Sequence, residues 1–98
     1  MVLNLLTESQ IINHLQKISN WILKDKVIFK SFKFDNYPLC IKFVNQIAII
    51  SEEINHHPEI IINWGKVELK IYTHDLNGLT EKDFILAEKI DKLETSII

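Results

Sequence analysis

The sequence has little that could hold it together by chemistry alone. Its single cysteine, Cys40, cannot close an internal disulfide, and the neighbours Leu39, Ile41 and Phe43 mark it as a buried thiol. There is no CxxC and no HExxH pattern. Positive charge is not in excess: 11 basic against 13 acidic residues give a net −2. That argues against nucleic-acid or anionic-membrane partners, which need a basic face. No apolar run approaches the roughly 20 residues of a membrane span. The start, MVLNLLTESQ, lacks a basic segment followed by a long apolar stretch, so no secretory signal is expected and a cytoplasmic location is the default. No linker, repeat or low-complexity segment interrupts the chain.

What is present suits one small globular domain spanning residues 1–98. The chain is 47% hydrophobic and 24% charged, enough for one core without disulfides or metals, with a margin that self-association would widen. Lys24, Lys26 and Lys30 alternate with apolar residues and are expected on a solvated strand edge.

Thr7-Glu8-Ser9-Gln10 fits a capping box, and Ile11, Leu15 and Ile18 follow at helical spacing, which predicts a helix from about Glu8 to Ser19. His14 is expected on its outer side. Trp21-Ile22-Leu23 and Val27–Phe34 read as two strands joined by a turn at Lys24-Asp25-Lys26. Asp35-Asn36-Tyr37-Pro38 is helix-start chemistry. Leu39, Phe43, Ile47, Ile50 and Ile54 then form one apolar stripe, predicting a helix from about Pro38 to Ile54. It must stop before His56-His57-Pro58. Ile60–Trp64 and Lys66–Thr73 read as a hairpin around Gly65, with Val67, Leu69 and Ile71 on one face. Thr80-Glu81-Lys82-Asp83 opens a last helix whose Phe84, Ala87, Ile90 and Ile97 face inward. The order α-β-β-α-β-β-α with hairpin-length connections predicts an α+β fold: a four-stranded antiparallel sheet with three helices packed on one face. The sheet's other face must be polar or covered, and the isoleucine content points to a partner chain. Trp21 and Trp64 are expected in the core or at an interface.

Chemistry concentrates in the histidines. Two of the four are adjacent, in EEINHHPEI, where the helix ends. Glu52 and His56 are four apart and can meet on one face, which would fix the imidazole tautomer. His74-Asp75 ends the last strand, which an antiparallel sheet can bring near the His57-Pro58 lead-in. Imidazole suits acid–base work near neutrality because its ordinary pKa is about 6.5. Blander readings stand beside this. The histidine pair can be a polar loop, His74-Asp75 a strand-end turn, and Asp83 the closing residue of a capping box begun at Thr80. A zinc site needs three or four converging ligands, and adjacent histidine side chains diverge, so no metal is expected.

Glu52-x-x-x-His56-His57-Pro58, then Trp64, then Thr73-His74-Asp75, then Gly78-Leu79-Thr80-x-x-Asp83 resembles the signature of the pterin-4a-carbinolamine dehydratases. Trp21 before VIFKSFKF and the helix around Phe43–Glu52 extend the resemblance over nearly the whole chain. Departures fall on pocket lining: Trp64 stands where tyrosine is usual, Ile60 where some members have an aromatic, Ser51 where alanine is common, and Leu76-Asn77 where residues are small.

The resemblance implies dehydration of a 4a-hydroxytetrahydropterin to the quinonoid dihydropterin, with no cofactor. His56 and His74 would do the acid–base work and His57 would position the substrate. Glu52 would orient a histidine, and Asp83 would cap the loop after His74. Pro58, Trp64, Thr73 and Asp75 would support the pterin site. It further implies a homodimer or homotetramer and a functional link to an aromatic amino-acid hydroxylase. Some animal members bind a homeodomain transcription factor, so a non-catalytic coactivator module is the alternative.

Overall fold

Thr7 starts the first helix as its spacing to Gln10 predicts. Its hydroxyl accepts from the Gln10 N–H, and the Gln10 side chain accepts from the Thr7 N–H. In this computed structural model, residues 3–97 are described, with side chains through residue 94. The elements are α1 (Glu8–Leu15), β1 (Ile22–Lys24), β2 (Val27–Lys33), α2 (Tyr37–Ile54), β3 (Glu59–Asn63), β4 (Lys66–Ile71), a 3-10 turn (His74–Leu76) and α3 (Glu81–Ile97). The strands form one antiparallel sheet in the order β1-β2-β4-β3. This is the α+β architecture expected from the sequence.

The first helix is shorter than its periodicity predicts, ending at Leu15 and not Ser19. Beyond it the chain bends through three-residue hydrogen bonds, Lys17 N–H to His14 O and Ile18 N–H to Leu15 O, and through Asn20 at φ 65°. The bend delivers Trp21 into the core, where its indole N–H donates to Asp91 at 3.0 Å. His14 is half-buried and stacks on Phe84 with ring centroids 4.9 Å apart, so it is not the simple surface residue expected.

The core lies between sheet and helices. Ile28 and Phe32 of β2 alternate with outward residues, as do Val67, Leu69 and Ile71 of β4. Against them α2 buries Cys40, Phe43, Ile47 and Ser51. Helix α3 adds Phe84, Leu86, Ala87 and Ile90. The Ile97 side chain, expected inward, lies outside the described residues. Phe43 touches both Phe32 and Phe34, with centroids 4.9 and 5.0 Å apart. Each such buried ring stabilises the fold by about 1.5–3 kcal/mol.

Lys30 overturns its expected place on a solvated edge. Its strand is internal to the sheet and its parity points to the helices, so it is buried. Its ammonium pairs with Asp91 at 2.7 Å and sits over the Phe32 ring at 4.6 Å. The opposite sheet face is left uncovered by the described residues. Ile22, Phe29, Ser31, Ile61, Glu68 and Lys70 share it.

Candidate functional site

The site is built where α2 stops. Asn55 takes the left-handed conformation, φ 52° and ψ 48°, which asparagine tolerates better than most residues. The His56 N–H then reaches Ser51 O at 3.0 Å and the Asn55 N–H reaches Glu52 O at 3.4 Å, which satisfies the last carbonyls. This turn separates the adjacent histidines. The His56 side chain points inward and is 10% exposed, whereas that of His57 is 54% exposed.

The separation changes the expected pairing. Glu52 does not meet His56; its carboxylate pairs with Nε2 of His57. Four-residue spacing brings side chains together only on a continuing helix, and the left-handed residue at 55 ends the helix before His56. His57 instead folds back over the last turn.

His56 finds a different carboxylate. Its Nε2 lies 2.5 Å from Oδ1 of Asp83, a residue fully shielded from water. The other Asp83 oxygen accepts from the Thr80 N–H at 2.8 Å and from the Thr73 hydroxyl at 2.9 Å. Thr73 is thereby committed as a donor, so the Thr80 hydroxyl donates to it across 2.9 Å. Asp83 closes the start of α3, as its spacing from Thr80 predicts, and also fixes a histidine. Three donors compensate a carboxylate buried without water. A carboxylate cannot donate, so Nε2 of His56 carries a hydrogen, and in the neutral imidazole Nδ1 keeps its lone pair.

His74 opens the 3-10 turn just past β4. Thr73 and Gly78 pair across the base of that turn, with hydrogen bonds of 2.8 and 3.4 Å, so the loop is a closed unit. The Tyr72 ring packs against that of His74 with centroids 4.2 Å apart. Among the described residues, none hydrogen bonds to the His74 ring.

His56, His57 and His74 line one open cavity of about 330 Å³, together with Thr73 and Asp75. Glu52 and Asp83 do not line it, and each holds one histidine. Pro58 turns the chain into β3 but does not line the cavity. Trp64 is apart from it: the side chain is 73% exposed at the far end of the five-residue strand β3. At about 3.3 Å per residue that places it roughly 17 Å along the sheet. Three further residues line the cavity without having been singled out by sequence reasoning: Leu3, Asn55 and Lys82. Lys82 occupies an unconstrained position of the Gly78–Asp83 motif, Asn55 immediately precedes the histidine pair, and Leu3 carries no signal at all.

A larger depression of about 450 Å³ lies on the open sheet face among Lys24, Val27, Phe29, Ser31, Glu68 and Lys70. It holds no histidine; His56, His57 and His74 all line the smaller cavity. Among the described residues no group of three or more histidines, cysteines or carboxylates is placed to hold a metal ion. No helix among them is long and apolar enough to cross a membrane.

Comparison with known proteins gives one consistent family. The profile described as "Pterin 4 alpha carbinolamine dehydratase" matches residues 4–93. A "Putative pterin-4-alpha-carbinolamine dehydratase" of Chloroflexus aurantiacus is 41% identical over 88 residues, covering 90% of this chain and 95% of that one. A protein of the same description from Sulfurisphaera tokodaii is 41% identical over 90 residues, covering 92% and 97%. Among solved structures, one described as a transcriptional coactivator/pterin dehydratase from Brucella melitensis superposes with a TM-score of 0.89. It is 33% identical and covers 93% of this chain and 99% of that one. Another, described as a pterin dehydratase-like protein that is a RuBisCO assembly factor in the alpha-carboxysome, superposes with a TM-score of 0.67. It is 27% identical and covers 76% and 89%.

Proposed function

The chain belongs to the pterin 4 alpha carbinolamine dehydratase family, and we propose that it eliminates water from a 4a-hydroxytetrahydropterin to give the quinonoid dihydropterin. One observation carries this reading: three histidines line one cavity, and a buried carboxylate sets the tautomer of the most enclosed one. The reaction needs one proton delivered to the leaving hydroxyl and one removed from the ring nitrogen. The electron pair of the N–H bond becomes the new C=N bond as the C–O bond breaks, and water leaves.

His56 is the base in this scheme. Its Nδ1 takes the ring proton, and the Asp83 carboxylate stabilises the imidazolium that results. His74 is the acid at the hydroxyl, its ring free to exchange protons with substrate and solvent. His57, tethered to Glu52, positions the pterin, Asp75 contributes a polar edge contact, and Thr73 holds the Asp83 carboxylate. Proton transfer alone completes the chemistry, so the scheme uses no cofactor. The same reading includes a role in regenerating the cofactor of an aromatic amino-acid hydroxylase, in the cytoplasm. The exposed Ile49, Ile61 and Trp64 support self-association into a dimer or tetramer.

The test is the rate of 4a-hydroxytetrahydropterin dehydration followed by ultraviolet absorbance. The wild type is expected to accelerate it, and His56→Ala and His74→Ala to lower kcat by about 10²- to 10⁴-fold each. Full activity in a folded His74→Ala protein would remove that residue from the mechanism. A second reading, a protein-binding module, is favoured by the coactivator and assembly-factor descriptions of the two structural relatives and by the uncovered sheet face. A well-folded wild type that gives no acceleration would make it the leading one.

A further inference from the structure

The side chains that line the histidine cavity mostly carry polar atoms. Of the side chains that line it, Asn55, His56, His57, Thr73, His74, Asp75 and Lys82 all carry polar atoms, and Leu3 alone is a hydrocarbon. A pterin has polar edges but two apolar ring faces, and a site for such a ring needs apolar surface as well as hydrogen-bonding groups. Leu3 is the one wholly hydrocarbon side chain there, beside the faces of the imidazole rings.

The segment that carries Leu3 is anchored at the His74 turn. The Leu6 N–H donates to Leu79 O at 2.9 Å. Leu5 lies over Gly78, so close that a Cβ on that glycine would fall 2.7 Å from its methyl carbon. Gly78 is the residue that pairs with Thr73 to close the turn bearing His74. Thr7 then begins α1, which fixes the far end of the segment. The contacts run from Leu3 at the cavity wall, through Leu5 and Leu6, to the base of the loop that presents His74.

We propose that the segment Leu3–Leu6 is a strap over the pterin site, in which Leu3 supplies the apolar contact to the ring and the Leu5 and Leu6 anchors hold the His74 turn in place. This rests on the dehydratase reading above. Leu3 is then a specificity-determining residue, and Leu5 acts on catalysis only through the turn it covers.

The test uses the full chain, with steady-state kinetics on the 4a-hydroxytetrahydropterin, thermal melts, and binding of dihydrobiopterin followed by fluorescence. Leu3→Ala removes three carbons from the contact and is expected to raise KM and the dihydrobiopterin Kd about tenfold, with kcat and Tm close to wild type. Leu3→Met, which keeps an apolar side chain of similar size, is expected to restore both constants. Unchanged KM and Kd in Leu3→Ala overturn the proposal. So does a loss of binding that tracks a fall in Tm, because that marks a structural role. Leu5→Ala is expected to loosen the turn and lower kcat, and Leu5→Met, which keeps an apolar side chain over Gly78, to recover it. An unaffected Leu5→Ala enzyme removes the anchor half of the proposal. If the wild type does not accelerate dehydration, the activity reading fails while dihydrobiopterin binding still decides on Leu3. A wild type that binds no pterin overturns both.

Discussion

A carboxylate with no exposure to water needs donors, and Asp83 has three, from His56, Thr73 and Thr80. They come from three segments: the end of α2, the strand-to-turn junction after β4, and the start of α3. One side chain therefore registers His56 against the loop that carries His74. Asp83→Asn tests this with almost no change of volume. The amide can still accept from Thr80, but its NH₂ would face a nitrogen that now donates. The expected result is a loss of about 10- to 100-fold in kcat, as for other groups that orient a functional histidine, together with a lower Tm. Wild-type kcat in Asp83→Asn would reduce the residue to a helix cap. Glu52 does a similar task for His57 under weaker constraint, because both partners are exposed and water screens the pair.

At the scale of elements, the decisive feature is how α2 ends. Its apolar stripe seats it on the sheet, and the left-handed Asn55 turns the chain so that one histidine enters the protein and the next leaves it. A β-branched residue resists that conformation. Asn55→Val is expected to lower stability by about 1–2 kcal/mol, read by urea denaturation, and to reduce activity further by misdirecting His56. Asn55→Gly, which adopts the conformation freely, is expected to keep both near wild type. Equal stability of the two variants would show that the cap conformation is not needed. The 3-10 turn is the second such device, closed by Thr73 and Gly78 and covered by Leu5.

Across the whole molecule, one buried polar cluster ties distant elements together. Asp91 of α3 accepts from the Lys30 ammonium on β2, the Trp21 indole before β1 and the Ser19 N–H after α1. Lys30 is 8% exposed and the Asp91 side chain 19%, so water screens the pair little. Lys30→Met leaves the Asp91 charge short of a partner and is expected to cost about 2–4 kcal/mol, measured by chemical denaturation. The double variant Lys30→Met/Asp91→Leu is expected to recover part of that, since an apolar pair avoids the desolvation of two charges. A single variant as stable as wild type would mean that the pair adds nothing. Catalysis should persist in both folded variants, because neither residue lines the histidine cavity.

Period and punctuation were enough to read much of this protein from its sequence. Alternation at Val67, Leu69 and Ile71 set the buried face of β4, and the stripe from Leu39 to Ile54 set α2. Thr7 with Gln10, and Asp35 or Asn36 before Pro38, marked helix starts within a residue, because caps are local hydrogen bonds between near neighbours. The histidine residues themselves were legible as types in a pattern. Their partners were not. Helical spacing assigned Glu52 to His56, but a single left-handed residue gave Glu52 to His57 and His56 to Asp83, 27 positions away. Lys30 looked like a surface lysine, and only the strand order, which makes β2 internal, buried it on Asp91. Leu3 reached the histidines because its segment is pinned to Leu79 and Gly78, contacts that span more than seventy residues of sequence. Local backbone preference acts between neighbours and can be read along the chain; which charge meets which imidazole depends on distances that exist only once the sheet and helices have packed.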